Sequence, residues 1–175
     1  MKKLLLFAGL PGVGKSTISR KVSKKIGAKI VDLDDFKKND VDPLLVTSQI
    51  DPPEQRWNYY QKAIEHTFGL FKQGISTVIM DEVFHLNSLR ARLESMCTER
   101  DVQVLWVEVR CSYETVEKRL QSMSRKGHIL STEEALKMHL LFEDIFEKFS
   151  PNDQNHIIID NGNDVDLDML IENIF

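Results

Sequence analysis

Cysteine, long apolar runs and surplus basic charge are all scarce in this chain, and each scarcity removes a class of protein. The two cysteines, Cys97 and Cys111, stand far apart with no C-x-x-C pairing. That excludes a disulfide-stapled secreted domain and a thiol metal site, and reads as small buried hydrophobes in a reducing compartment. No apolar stretch approaches the roughly 20 residues that a membrane span needs. Met1-Lys2-Lys3-Leu4-Leu5-Leu6 has the outline of a signal peptide, but its apolar run is too short and is expected to be a first strand. Lys and Arg total 23 against 27 Asp and Glu, a net charge of -4, with no basic stripe of the kind a general nucleic-acid binder carries. The five histidines share no helix face at ligand spacing, so none is assigned to a metal. Repeats, low-complexity tracts and linkers are also lacking. The expectation is one cytoplasmic domain over residues 1–175, with no membrane partner.

What the chain does have is Gly9-Leu10-Pro11-Gly12-Val13-Gly14-Lys15-Ser16-Thr17, a complete G-x-x-x-x-G-K-[ST] phosphate-binding loop. Gly12 and Gly14 allow positive φ angles, so that successive N–H groups form a nest for phosphate oxygens. Lys15 reaches the β- and γ-phosphates, Ser16 offers its hydroxyl to Mg²⁺, and the following helix adds its positive end. The flanks agree: Leu4 to Ala8 reads as a buried parallel strand, and Ile18, Val22 and Ile26 recur at helical spacing until Gly27. The cofactors implied are ATP and Mg²⁺, with Gly9, Pro11, Gly12, Val13, Gly14, Lys15, Ser16 and Thr17 around the phosphates.

Further strands are expected at 29–31, 75–80, 102–109 and 156–160, alternating with helices. Five such units predict a parallel, doubly wound α/β sheet with helices on both faces and ligands at its carboxyl edge. Asp32, Asp34 and Asp35 fall at that edge after the second strand, where one of them also suits the cap of a short helix. Residues 36–73 form the expected acceptor region. Within it a helix from about 54 to 73 turns Trp57, Tyr60, Ile64, Phe68 and Phe71 inward and leaves Asn58, Tyr59 and His66 off the stripe. Asp81 follows the third strand and is the second nucleotide motif, holding Mg²⁺ with Ser16. Arg90, near the start of the next helix, is a candidate for a substrate anion. Residues 119–131 bring Arg119 and Arg125 before a capping box at Ser131 and Glu134, and read as a lid that closes on the triphosphate. The helix from that box is expected to reach about Phe149, and a last short helix to follow Gly162.

Taken together, the phosphate loop, Val31-Asp32-Leu33-Asp34-Asp35-Phe36-Lys37, Val78-Ile79-Met80-Asp81 with Arg90, and the arginines at 119–125 resemble the small phosphate-loop kinases. The resemblance is to the branch holding the kinase domain of bacteriophage polynucleotide kinase, the zeta-type toxins and small kinases often labelled ATPases; shikimate and gluconate kinases are more distantly similar. It implies that Asp34, with Asp35 second, is the base for the acceptor hydroxyl, and that Lys37 contacts substrate. It implies also that Arg125 is the lid arginine, catalytic with Lys15 and Asp34, and that Arg119 lies near the ATP base and phosphates. One departure concerns charge. Between 32 and 65 there are eight acids, at 32, 34, 35, 40, 42, 51, 54 and 65, against four bases, at 37, 38, 56 and 62. A polynucleotide channel is positive, so a small-molecule hydroxyl acceptor is expected over nucleic-acid ends.

The competing expectation is an ATPase or nucleotide-dependent switch in which Glu82, next to Asp81, positions the attacking water. The residues of 36–71 carry no motif that names the acceptor.

Overall fold

The computed structural model describes residues 1–38, 50–122, 131–150 and 153–162, with single residues at 166, 168, 169 and 172. Five strands, β1 (Lys2–Ala8), β2 (Lys29–Asp32), β3 (Thr77–Asp81), β4 (Val102–Arg110) and β5 (His156–Asp160), form one all-parallel sheet in the order 2-3-1-4-5. Parallel strands need crossovers, and the helices supply them: α1 (Lys15–Ile26), α2 (Leu33–Lys38), α3 (Pro53–Lys72), α4 (Asn87–Thr98), α5 (Tyr113–Ser122) and α6 (Thr132–Ile145).

Alternation along β1 divides the core in two. Leu4, Leu6 and Ala8 pack with Val78, Met80 and Trp106 under α3 and α4, through Tyr60, Ile64, Phe68, Leu89 and Leu93. Leu5 and Phe7 face the other way, with Ile79, Val107 and Val109, onto Ile18 and Val22 of α1, Val116 and Leu120 of α5 and Ala135 of α6. Both faces of the central strand are therefore covered, which is why it reads as a continuous apolar run. The expected core stripe of α3 is buried. Tyr59, read as lying off it, is also fully buried, whereas Asn58 and His66 are exposed. The helix is wrapped on more than one side, by α2 and α4 as well as the sheet, so its buried arc is wider than one stripe.

The capping box forms as read: Ser131 accepts from the Glu134 N–H, and Glu134 accepts from the Ser131 N–H. The far end of that helix is a correction. α6 stops at Ile145, and residues 146–149 run on as a strap in which the Glu147 N–H donates to the His85 carbonyl. Tertiary contact ends the helix, since Phe146 and Phe149 both pack on the guanidinium of Arg90, 5.7 and 4.1 Å from their ring centres. The last short helix lies largely outside the described residues.

Arg90 is the second correction. It is 4% exposed and donates to the Phe84 and Glu147 carbonyls and to the Asn87 side chain. These bonds join the start of α4 to the segment before it, through Phe84, and to the strap, through Glu147, so the buried guanidinium acts as a structural rivet. Arg90→Ala is expected to lower the unfolding free energy by about 3 kcal/mol, through two orphaned carbonyls and a lost cation–π stack. In urea titrations the midpoint falls, while the slope of the transition stays near the wild-type value.

Candidate active site

The loop between β1 and α1 wraps a concave run of backbone held open by close contacts. Gly14, at φ 95°, caps α1, and a Cβ there would lie 2.3 Å from the Asn161 side-chain nitrogen; at Gly9 it would lie 2.3 Å from the Val109 carbonyl oxygen. Only glycine fits either place. The loop is clamped from two sides. Asn161, after β5, donates its Nδ2 to the Val13 carbonyl at 2.8 Å, and His139 of α6 donates its Nδ1 to the Pro11 carbonyl at 2.7 Å. Ile18 and Thr17 donate their N–H groups to the Gly14 carbonyl as α1 begins.

Lys15 folds across its own loop and donates to the carbonyls of Gly9 and Leu10, at 2.8 and 2.9 Å. Burial pulls its pKa down, against the opposing fields of Asp81, Glu82 and Asp34. Asp81 sits one register step from both neighbours, paired with Phe7 of β1 and Asp32 of β2. Its carboxylate accepts from Ser16 Oγ at 3.3 Å and from Ser19 Oγ at 2.8 Å. Burial raises the Asp81 pKa, with Lys15 and Ser19 working against the rise. Ser16 Oγ and the Asp81 carboxylate are hard oxygen donors, and they fit Mg²⁺, which takes one or two protein oxygens and completes its shell with phosphate and water. Ser19 was not foreseen. Its signal was its place one helical turn after Ser16, on the face turned to β3.

Asp32 Oδ1 accepts from the Asp34 N–H at 3.0 Å, so the cap of α2 falls to Asp32. Asp34 is half-buried and near enough to Lys15 to act on its charge, while Asp35 is exposed. Lys37, half-buried, stands 3.5 Å from Glu82 Oε2 and over the Tyr59 ring. Glu82 is 9% exposed and is held also by Arg56, whose Nη1 is 3.4 Å from Oε1, and by the Val83 N–H at 3.0 Å. Burial alone would raise the Glu82 pKa; Lys37 and Arg56 outweigh it and bring it to about 2. Arg56, 2% exposed, lies over the Phe142 ring, and the Glu82 charge raises its pKa despite burial. It was counted in the sequence only as one base among four. Nothing there distinguishes it from Lys62 beyond its place in the first turn of α3.

Arg119 donates to the Gly162 carbonyl at 3.2 Å and approaches Cys111 Sγ, which ties α5 to the turn after β5 on the loop side of the sheet. Arg125 lies outside the described residues, as do 123–130 of the expected lid and 39–49 of the acceptor region.

A phosphate loop, an acid at the end of β3 and a parallel sheet ordered 2-3-1-4-5 define a nucleotide-binding P-loop protein with a kinase-like fold. The chain belongs to the AAA_33 family of AAA domains, whose model matches residues 4–144. Among curated proteins it is similar to the 2',3'-cyclic-nucleotide 3'-phosphodiesterases of Rattus norvegicus and Mus musculus, each 28% identical over 114 residues. That match takes in 64% of this chain and only 25% of either relative, so the chain spans about a quarter of their length. Among solved structures, a sugar kinase from Janibacter sp. HTCC2649 superposes with a TM-score of 0.73 at 22% identity, covering 99% of this chain and 92% of that one. A gluconokinase from Sinorhizobium meliloti 1021 gives 0.65 at 13%, over 97% and 87%. The Mycobacterium tuberculosis APS kinase, in complex with AMPPNP and APS, gives 0.62 at 16%, over 99% and 95%. These likenesses establish the fold.

Two measurements follow from the geometry. Ser19→Ala removes the 2.8 Å hydrogen bond to one Asp81 oxygen, and the Mg²⁺ concentration that half-saturates the protein in the presence of a non-hydrolysable nucleotide, followed by calorimetry, is expected to rise roughly tenfold. The second concerns acid. Burial, with Arg56 adding to it, lowers the His85 pKa to about 4, so the unfolded chain binds more protons at that site between pH 6.5 and 4 and stability falls as pH falls through that window. Glu82 adds stability that is full above about pH 4.5 and is lost as pH drops toward 2. Melting temperatures are expected to decline in two stages, the first flattened in His85→Phe.

Proposed function

We propose that the protein is an ATP-dependent kinase that transfers the γ-phosphoryl group to a hydroxyl of a small-molecule or nucleotide-like acceptor. The observation that carries this reading is the pairing of the phosphate loop with Asp81, whose carboxylate accepts from Ser16 Oγ and Ser19 Oγ, at the same sheet edge where Asp34 opens α2, half-buried, after β2. Asp34 is assigned as the base for an acceptor hydroxyl. The loop amides from Gly12 to Thr17 and Lys15 hold the phosphates. Ser16 and Asp81, supported by Ser19, are the residues that would hold Mg²⁺, whose charge would offset that of the phosphate oxygens. Asp34 orients the acceptor hydroxyl and takes its proton as the oxygen attacks phosphorus in line and ADP leaves. Arg125 is assigned to neutralise charge from the lid, and Arg119 to the nucleotide side.

The excess of acids over bases between 32 and 65 supports a small acceptor over a nucleic-acid end. Neither cysteine is disulfide-bonded, and burial pushes the Cys97 thiol up to about 12, in keeping with the reducing cytoplasm to which we assign the protein. Among the described residues, no helix is long and apolar enough to cross a membrane.

The ATPase reading needs Glu82 as the residue that positions and activates water. Glu82 instead has both oxygens engaged by Arg56, Lys37 and the Val83 N–H, and its low pKa makes it a weak base. Two variants separate the readings. Asp34→Ala is expected to cut acceptor-dependent ADP release by roughly 10²–10⁴-fold with ATP affinity nearly intact. Turnover lost in Glu82→Gln but unchanged in Asp34→Ala, with no acceptor required, would favour the ATPase.

A further inference from the structure

A phosphate-binding loop works only while its N–H groups point inward, and the local chain does not by itself settle which way they point. The peptides Pro11–Gly12 and Val13–Gly14 are both trans, so in each the C=O and the N–H point in opposite directions. Turning such a peptide over changes chiefly ψ of its first residue and φ of the glycine. Gly12 stands at φ 83° and Gly14 at φ 95°, and glycine adopts either sign of φ about equally. The freedom that permits the nest therefore also permits its two glycine amides to face outward.

What fixes them comes from distant parts of the fold. His139 Nδ1 donates to the Pro11 carbonyl at 2.7 Å, and Asn161 Nδ2 donates to the Val13 carbonyl at 2.8 Å. Each bond holds one peptide by its outer end and so turns the N–H of Gly12 or Gly14 to the concave side. Among the described residues neither N–H has an acceptor. Gly9, Leu10 and Gly14 need no such help, because their carbonyls accept from Lys15 and from the first N–H groups of α1. Both clamps are themselves held. His139 is 1% exposed, with its ring edge-on to Tyr113 at 5.6 Å. Asn161 is buried, its N–H donates to the Arg110 carbonyl at 2.7 Å, and its own carbonyl accepts from Cys111 Sγ.

We propose that His139 and Asn161 are positioning residues for the nucleotide phosphates: each holds one glycine peptide of the loop by its carbonyl, His139 aiming the Gly12 N–H and Asn161 the Gly14 N–H at a phosphate oxygen. They act through the backbone. The inference rests on the nucleotide-binding part of the kinase reading and names two distant side chains on which that binding depends.

The chain has eight glycines, so isotopic labelling of glycine nitrogens alone gives a simple amide spectrum of the full protein. With Mg²⁺ and a non-hydrolysable ATP analogue, the wild-type Gly12 and Gly14 amide protons are expected to move downfield as they bond to phosphate. His139→Phe keeps a ring against Tyr113 and removes the donor; it is expected to abolish the Gly12 shift and leave that of Gly14. Asn161→Leu, close in volume and uncharged, is expected to do the reverse. By calorimetry each variant is expected to bind the analogue at least roughly tenfold more weakly. His139→Asn, whose amide donates from about the position of Nδ1, is expected to recover most of that loss. General loosening of the fold would not divide the two glycines in this way. His139→Leu and Asn161→Ala serve where a first variant does not fold. Shifts and affinity that match the wild type in both variants, or two shifts lost together, would overturn the inference and leave the kinase standing. A wild-type chain that binds no nucleotide would overturn both.

Discussion

Parallel pairing of β1 with β3 is the constraint on which the chemistry of this chain depends. The register sets Asp81 against Phe7 and carries the ladder one step further, through the Glu82 N–H to the Phe7 carbonyl and the Gly9 N–H to the Val83 carbonyl. Those bonds fix the mouth of the phosphate loop relative to the acids at the end of β3. Since β2 pairs with β3 in the same sense, Asp32 arrives beside Asp81, and α2 then starts with Asp34 within the field of Lys15. In a parallel sheet all strands end together, so residues far apart in sequence reach one edge with no side-chain contact needed to bring them there.

That edge concentrates charge in a small space, and the charges are stable only in combination. Burial lowers the Lys15 pKa, and the charges of Asp81, Glu82 and Asp34 oppose that fall without cancelling it. Glu82 is kept ionised by Lys37 and Arg56, and Arg56 in turn by Glu82. Isolated, each buried charge would be costly; interlocked, they fix one another's protonation states and tie α2 and α3 to β3.

Particular residues mark where local reading succeeded and where it stopped. The phosphate loop, the cap of α6 and the acid after β3 depend on residue type at short spacing, and all stand where they were read. The end of α6 and Arg90 were misjudged together, for one reason: Phe146 and Phe149 leave the helix in order to stack on an arginine some 56 residues earlier. His139 and Asn161, which clamp the loop from α6 and from the end of β5, carried no local mark, because their partners are backbone carbonyls at Pro11 and Val13.

By itself, then, the sequence determined the alternation of strands and helices, the parallel sheet, the phosphate loop and the acids at its edge. Each of these follows from periodicity or from glycine's conformational freedom, which act over a few residues. Only the tertiary structure decided what each charge does. Asp32 became a cap within α2's first turn, Arg90 became a rivet, and Glu82 became the holder of Lys37 and Arg56. Whether a charged side chain is free, paired or buried is set by what the folded chain packs around it, and no spacing along the chain encodes that surrounding field.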